Sequence, residues 1–374
     1  MISTTFTPAA ALAGLLLVSS SALHAGSPGP ASAATSAPPG PSVTTYATGL
    51  TNPRGLVFGP DGHLYVAEAG IGGEQTATDE TGCPADFNVF SPYFAGYTGR
   101  VTRVLANGTT QTVAANLPST VDSGGSGFGP TDVAFIGDQL YVLIEMGGCP
   151  HGLPDDLPAI LRVNKDGSTT NVANLSAWLA ANQPNFVKEE PIEITDQEPG
   201  GVFHSMIAQG KYLYVVETNR GFVLRFDPKS GIVEKLYDMS IDSKEHNPIV
   251  MARRGNEFHV GTFGEDGGPA ELAVFDKHFA GYSLPFESLN PIVGLAWRGS
   301  KLFGVEIFPL DVAWLPDSKA NLVAFDPKTG ERTEVLTGFA SYPNGLVTGP
   351  DGALYTSNWA VGGPGGGSIL RIVP

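Results

Sequence analysis

Apolar and polar residues along this chain form the short alternating runs that are typical of β-strands, and tight turns separate the runs. Near the start, apolar runs at residues 55–58 and 63–67 flank the turn Gly-Pro-Asp-Gly. Aromatic and β-branched residues favour strands, whereas Pro and Gly favour turns. A second copy with the same spacing occupies residues 343–358. Self-similarity at a distance is typical of repeat architectures, so we predict a recurring β-hairpin.

Four more hairpins of this kind lie between the two copies, and they begin near Pro130, Ser205, Ile249 and Val293. Most of them are followed by a second hairpin, whose turn reads Asn-Gly, Asp-Gly or Pro-x-x-Gly. Six units of four antiparallel strands predict an all-β protein, a six-bladed β-propeller. One short helix is predicted at residues 175–182, between the second and third units.

The last unit lacks one strand. Its predicted strands lie at residues 346–348, 354–357 and 368–373. An unassigned strand at residues 43–48 precedes the first unit. We therefore predict that this N-terminal strand completes the last blade, because such closure leaves no open sheet edge between the first and last blades.

The segment before the propeller has the character of an export signal. An apolar run at residues 9–18 is too short to span a bilayer and is followed by small residues, although no Lys or Arg precedes it. We predict a signal peptide at residues 1–33, cleaved after Ala25 or Ala33, and a Pro/Ala/Ser linker at residues 34–42. Residues 43–374 then form a single propeller domain that is secreted or periplasmic, monomeric and without a membrane span.

The net charge of the chain limits its possible partners, and its cysteine content predicts whether those cysteines are oxidised. The net charge of −16 argues against nucleic acid as a partner. The two cysteines, Cys83 and Cys149, lie in long loops at residues 70–99 and 146–158, which we expect to leave the same face of neighbouring blades. An even number of cysteines in an exported protein predicts one disulfide.

The opening hairpin and a later segment resemble a known family. Residues 52–70 (NPRGLVFGPDGHLYVAEAG), the turn at residues 161–168 and the segment at residues 174–185 (NLSAWLAANQPN) are similar to the ScyD/ScyE family of exported β-propellers. The opening hairpin alone also resembles NHL and gluconolactonase-type propellers. The resemblance implies a propeller fold and export, and it implies no particular reaction.

Candidate site residues lie where the strands of each inner hairpin begin and end. The predicted second strands end at Glu68, Ile144, Glu217, Thr262, Glu306 and Asn358, with Glu145 one position beyond Ile144. The first strands start near Arg54, Asp132, His204 and Asn344. From these positions we select as ligand-binding candidates Glu68, Glu217, Glu306, Asn344, Asn358, Arg54 and His204.

The three glutamates of this set have two interpretations. Glu68, Glu217 and Glu306 could hold Ca²⁺, which takes about six to eight oxygen ligands. Alternatively, they cap backbone N–H groups or pair with arginines such as Arg54 and Arg220, which is a structural role. No catalytic residue can be named from the sequence.

Two classes of function fit these features. The first is a propeller that binds a small ligand at the channel mouth, with an enzymatic variant that resembles the metal-dependent gluconolactonase type, in which Asn344 matches one metal-binding position. The second is a non-catalytic module whose loop face contacts a protein or saccharide through Phe90, Tyr93, Phe94 and Tyr97. We favour the ligand-binding propeller.

Overall fold

The chain folds into six antiparallel sheets that form a six-bladed β-propeller. The computed structural model describes residues 40–76, 92–122, 125–182, 200–242, 246–264, 269–307 and 319–374. The signal peptide and nearly all of the linker lie outside the described residues and stay predictions. Among the residues that are described, no helix combines the length and apolar character needed to cross a membrane.

The strands follow one another blade by blade. Blade 1 contains β2 (Pro53–Phe58), β3 (Leu64–Glu68), β4 (Gln75–Thr76), β5 (Phe94–Val104), β6 (Thr110–Val121) and β7 (Gly127–Phe128). Blade 2 contains β8 (Pro130–Ile136), β9 (Gln139–Ile144), β10 (Ala159–Val163) and β11 (Thr169–Asn174). Blade 3 contains β12 (Phe203–Gln209), β13 (Tyr212–Glu217), β14 (Phe222–Asp227) and β15 (Ile232–Asp238).

The second half of the propeller repeats this order. Blade 4 contains β16 (Pro248–Arg254), β17 (Glu257–Thr262), β18 (Ala270–Asp276) and β19 (Tyr282–Leu289). Blade 5 contains β20 (Ile292–Arg298), β21 (Lys301–Glu306), β22 (Lys319–Asp326) and β23 (Glu331–Ser341). Blade 6 contains β24 (Val347–Thr348), β25 (Leu354–Asn358), β26 (Gly367–Val373) and β1 (Ser42–Leu50).

The predicted closure by an N-terminal strand is confirmed. Strand β1 pairs antiparallel with β26, from Ser42 opposite Val373 to Leu50 opposite Gly367. Leu50 is buried in an apolar cluster that joins blades 6 and 1. Other clusters of buried apolar side chains join blades 1 and 2, blades 2 and 3, blades 3 and 4, and blades 4 to 6. Packing between neighbouring sheets therefore stabilises the ring.

The first and last hairpins have the same turn. In blade 1 the N–H of Gly59 donates to the carbonyl of His63 at 2.8 Å, and Asp61 accepts from the N–H of His63 at 3.1 Å. In blade 6 the N–H of Gly349 donates to Ala353 at 2.8 Å, and Asp351 accepts from Ala353 at 3.1 Å. The recurring hairpin that the sequence predicts is therefore present at both ends.

The irregular elements are few in the described part of the chain. Helix α1 (Leu175–Ala181) lies where one was predicted, and the side chain of Asn174 caps it by accepting from the N–H of Ala177 at 2.9 Å. Two short 3₁₀ helices occupy Cys149–His151 and Met239–Asp242. The third strand of blade 1 starts at Phe94, inside the loop predicted at residues 70–99. It starts this early because β5 pairs with β6 as far as Phe94, which lies opposite Val121.

Candidate functional site

The first strands of all six blades enclose a central channel. It contains a cavity of about 470 Å³, and every blade contributes wall residues from the chain segment nearest the axis. Among the described residues, the six inner segments supply this wall. This space is the concave feature that all six blades build together.

A one-residue bulge occurs at the start of the inner strand in each of blades 2 to 5. In blade 3, Phe203 pairs with Glu217 and Ser205 pairs with Val216, so His204 is left without a partner in the sheet. The bulged residues of blades 2, 4 and 5 are Thr131, Ile249 and Val293. In blade 1, Arg54 lies in a similar irregularity between Pro53 and Leu56. Because bulges turn side chains away from the regular sheet face, these positions can differ from blade to blade without loss of pairing.

At the end of the cavity where the inner strands begin, the wall has a polar side and an apolar side. Blades 2 and 3 contribute Asp132, His204 and Ser205 to it. Blades 4 and 5 contribute apolar residues instead, which are Ile249, Val250, Val293 and Leu295. Of the sequence-predicted ligand-binding candidates, His204 and Asn344 line this cavity. A ligand at this end of the channel would therefore meet titratable groups on one side and hydrocarbon on the other.

His204 lies against a fully buried carboxylate. Its Nε2 lies 2.9 Å from Oε1 of Glu145, whose side chain has no exposed surface. Burial alone would raise the pKa of Glu145, but the nearby charges of His204 and Arg54 outweigh it and hold the pKa below its ordinary value. The ionised form of Glu145 is therefore favoured.

The backbone fixes Glu145 between neighbouring blades. The residue directly follows β9, and its N–H donates to the carbonyl of Gly129 at 2.9 Å. Its own carbonyl accepts from the N–H of Phe203 at 3.2 Å, in the strand that carries His204. The sequence placed Glu145 one position beyond the column of strand ends, but it gave no sign that this carboxylate would be buried against a histidine from the next blade.

Arg54 is a second group whose charge lowers the pKa of Glu145. Its side chain is buried, it donates through Nη2 to the carbonyl of Gly127, and its guanidinium lies 5.9 Å from the ring centre of Phe128. The buried His151 also lowers the pKa of Glu145, after the larger effects of burial, His204 and Arg54. The structure thus brings together two of the predicted candidates, Arg54 and His204, around an acid that was not among them.

Asp132 is the second acid of this region. Its Oδ2 accepts from the N–H of Met206 at 2.7 Å, and its Oδ1 accepts from the N–H of Val133 at 2.8 Å. The carboxylate also packs against Gly55 of blade 1 so closely that a methyl group there would collide with it. Although part of Asp132 is exposed to the cavity, surrounding protein removes it from bulk water, and this burial raises its pKa to about 7.

The predicted glutamates form a column at the second-strand ends, outside the cavity wall. Glu68 accepts from Arg100 at 2.8 and 2.7 Å, from the N–H of Thr51 at 2.5 Å and from Thr102. Glu306 accepts from Arg332 at 3.0 and 2.5 Å. Each of these buried carboxylates is therefore held by an arginine of its own blade, as the structural interpretation expects.

Glu217 and Asn358 occupy the same column. Glu217 accepts from the N–H groups of Val202 at 3.2 Å and Arg220 at 2.7 Å, and burial raises its pKa. Asn358 accepts from the N–H of Ser341 at 2.8 Å. In the part of the chain that the structure describes, no group of three or more His, Cys, Asp or Glu residues has an arrangement that could hold a metal. The Ca²⁺ site at Glu68, Glu217 and Glu306 stays a prediction.

The loop face is described only in part. Cys83 and Phe90 lie outside the described residues, so the disulfide with Cys149 stays a prediction. Tyr93 is buried, with its ring centre 4.2 Å from that of His151. Tyr97 is half exposed and donates to Asp156 at 2.7 Å, which joins the third strand of blade 1 to the loop of blade 2.

Comparisons with known proteins support the fold and leave the family open. No family model matches the chain, and no curated protein matches it. Among solved structures, it is similar to a putative glucose dehydrogenase from Thermus thermophilus, at 16% identity over 89% of this chain and 100% of that one, with a TM-score of 0.54. These values show a common fold alone.

Two further solved structures give the same result. The soluble aldose sugar dehydrogenase of Escherichia coli, in its apo form, is 15% identical over 89% of this chain and 99% of that one, with a TM-score of 0.54. The PQQ-bound aldose sugar dehydrogenase of Streptomyces coelicolor is 15% identical over 90% and 99%, with a TM-score of 0.52. The chain therefore has the β-propeller architecture of these proteins.

Proposed function

We propose that this protein is an exported β-propeller that binds a small organic ligand in its central channel, in the manner expected of a ScyD/ScyE-like protein. The observation that carries the proposal is the cavity wall, in which Asp132 and His204 lie on blades 2 and 3 and apolar residues lie on blades 4 and 5 at the same end of the channel. Ligand sites are typically concave and largely apolar, with a few converging polar groups. Export and membership of the ScyD/ScyE family rest on the sequence resemblance.

The buried charge at Glu145 supports a functional role for this wall. Burying a carboxylate is costly unless it is paired and hydrogen-bonded, and Oε2 of Glu145 has no hydrogen-bond donor among the described residues. A propeller that needed only stability could place an apolar residue here. Perturbed acids of this kind occur preferentially at functional sites.

The same groups favour acid–base chemistry as a second candidate function. Glu145 orients His204 through Nε2, and Nδ1 of His204 has no hydrogen-bond partner in the described structure, which leaves it available to a ligand. Asp132, with a pKa of about 7, could exchange a proton on the same wall. This arrangement is compatible with hydrolysis of a lactone or ester. His204 would remove a proton from water as it attacks the carbonyl carbon, the acyl C–O bond would then break, and the leaving alkoxide would take up that proton.

A cofactor of the kind bound by one structural neighbour does not fit the described channel. PQQ carries three carboxyl groups, and the aldose sugar dehydrogenase of Streptomyces coelicolor is known in a PQQ-bound form. Among the described residues that line the cavity here, Arg253 is the one arginine, and Asp132 adds an acid to the polar side. A tricarboxylate would need several cations, so we propose no step that uses this cofactor.

Ligand binding to variants of the mature protein tests the proposal. We would screen small organic molecules by ligand-observed NMR and measure the affinity of each hit by calorimetry. Val293→Phe should abolish binding by filling the channel, and His204→Gln should weaken it about tenfold or more. The matched control His278→Gln, at an exposed histidine of blade 4, should leave it unchanged.

Two results would contradict this proposal. Hits whose affinity is the same in Val293→Phe, confirmed as folded by thermal melting, would place binding outside the channel and favour the loop face as a protein- or saccharide-binding surface. A screen that finds no ligand for the channel would also contradict the proposal. For the hydrolytic candidate, esters and lactones serve as probes, and His204→Gln should lower kcat by about 10²-fold or more.

A further inference from the structure

The two ends of the channel carry different chemistry. His204 lies at the start of the inner strand of blade 3, whereas Arg253 lies near the end of the inner strand of blade 4. A strand rises by about 3.3 Å per residue, so four residues along an inner strand separate the two ends by roughly 13 Å. The far end of the cavity is lined by Arg253 and Trp297.

Arg253 is an unpaired cation in an acidic protein. Its Nη1 donates to the side-chain oxygen of Gln209, and its Nε is buried without a hydrogen-bond partner. Among the described residues no carboxylate forms an ion pair with it, although the chain has 37 acidic and 21 basic residues. Several other described arginines pair with acids, as Arg332 does with Glu306. The guanidinium of Arg253 lies 5.4 Å from the ring centre of Phe258, but neither this ring nor Gln209 neutralises its charge at the cavity wall.

Trp297 supplies a second unused donor at this end. Trp297 lines the cavity, and its indole N–H is buried without a hydrogen-bond partner among the described residues. The guanidinium of Arg254 lies 4.6 Å from its ring centre, and His259 contacts it edge-on at 5.0 Å. Burial lowers the pKa of His259 to about 4, so this neighbour stays neutral and does not compete with Arg253 for an anion.

We propose that the far end of the channel binds the carboxylate of a small organic acid, through the guanidinium of Arg253 and the indole N–H of Trp297. The apolar walls of blades 4 and 5, including Val250 and Leu295, would contact the body of the molecule. Its other end would reach the polar side at His204. This inference rests on the proposed function and adds the chemical class of the ligand.

The inference predicts a preference for an acid over its neutral amide. We would measure the binding of benzoate and benzamide, and of 3-phenylpropionate and its amide, to the mature protein at pH 7. Hydrogen bonds to a charged group should favour each acid by about 10- to 100-fold. In Arg253→Gln the acid should lose this preference and bind like the amide. The matched control Arg162→Gln, at an exposed arginine of blade 2, should keep it.

A second variant tests the contribution of the indole N–H while it keeps an aromatic ring at the same position. Trp297→Phe keeps an aromatic wall but removes the N–H, and it should weaken the acid several-fold while leaving the amide unchanged. Equal binding of acid and amide to the wild-type protein, an acid preference that survives in Arg253→Gln, or no binding of either acid at a Kd below about 1 mM would overturn the inference. Neutral compounds that bind the wild-type protein but not Val293→Phe would still support the proposed function, so the two failures are distinguishable.

Discussion

Replacement of Asp132 by Asn should change how the stability of the propeller depends on pH. The wild-type carboxyl is enclosed by blades 1 to 3, and burial raises its pKa to about 7 although the N–H groups of Met206 and Val133 donate to it. In the unfolded chain its pKa returns to the model-peptide value of about 3.9. Between these two values the folded protein retains a proton that the unfolded chain has released.

The sign and size of the effect follow from this difference. Because the folded state binds more protons, the contribution of Asp132 to the free energy of unfolding falls as the pH rises, by about 1.4 kcal/mol per pH unit. The fall ends near the folded pKa of about 7. From pH 5 to pH 8 the stability of the wild-type protein relative to Asp132→Asn should therefore drop by roughly 2 to 3 kcal/mol.

Urea unfolding of both proteins at several pH values between 5 and 8 measures this difference. The comparison removes the other titrating groups, since both proteins share them. Asp166→Asn serves as the control because this exposed acid has a lowered pKa, held down by its hydrogen bonds to Ser168. Its contribution is lost only at more acidic pH, so it should not vary from pH 5 to pH 8. A difference between wild type and Asp132→Asn that stays constant over this window would refute the argument that burial controls Asp132.

Three further changes test the ring and its buried ion pairs. In urea melts Leu50→Ala should lower the free energy of unfolding by about 2–5 kcal/mol, whereas the exposed Val43→Ala on the same strand should cost less than about 1 kcal/mol. A double-mutant cycle of Glu306→Gln and Arg332→Gln should give a coupling of about 1–3 kcal/mol, while additive effects, or bound Ca²⁺ that only the first variant loses, would favour the metal site. Gly55→Ala should lower Tm because its methyl group would collide with the carboxylate of Asp132, and an unchanged Tm would contradict that contact.

The fold could be predicted from the sequence because local chemistry repeats in every blade. The turn Gly-Pro-Asp-Gly forms the same hydrogen bonds around Asp61 and Asp351. Tyr65 and Tyr355, four residues later in each copy, both donate to that aspartate at 3.0 Å. Short-range signals of this kind are sufficient to count strands and to detect the missing one. The loops with unique sequences offered no such repetition, so the start of β5 at Phe94 was missed.

The site was harder to predict because its contacts join residues that are distant along the chain. Glu68 and Glu306 lie at strand ends, but whether a carboxylate there faces an arginine or a ligand depends on the third and fourth strands of its blade. Glu145 and His204 lie 59 positions apart in the sequence and meet only because blades 2 and 3 are neighbours. No spacing rule connects them.

The bulges at the start of the inner strands allow side chains at the channel to vary while the fold stays the same. A bulged residue takes no part in sheet pairing, so replacing one side chain by another there need not disturb the hairpin. In blades 2 to 5 the bulged residues are Thr131, His204, Ile249 and Val293, so one of these four positions carries a titratable side chain and three carry uncharged ones. Structural similarity at about 15% identity reports the pairing pattern and is insensitive to these positions. Ligand specificity in this protein must therefore be tested at the bulges and at the far end of the channel, rather than transferred from proteins of the same fold.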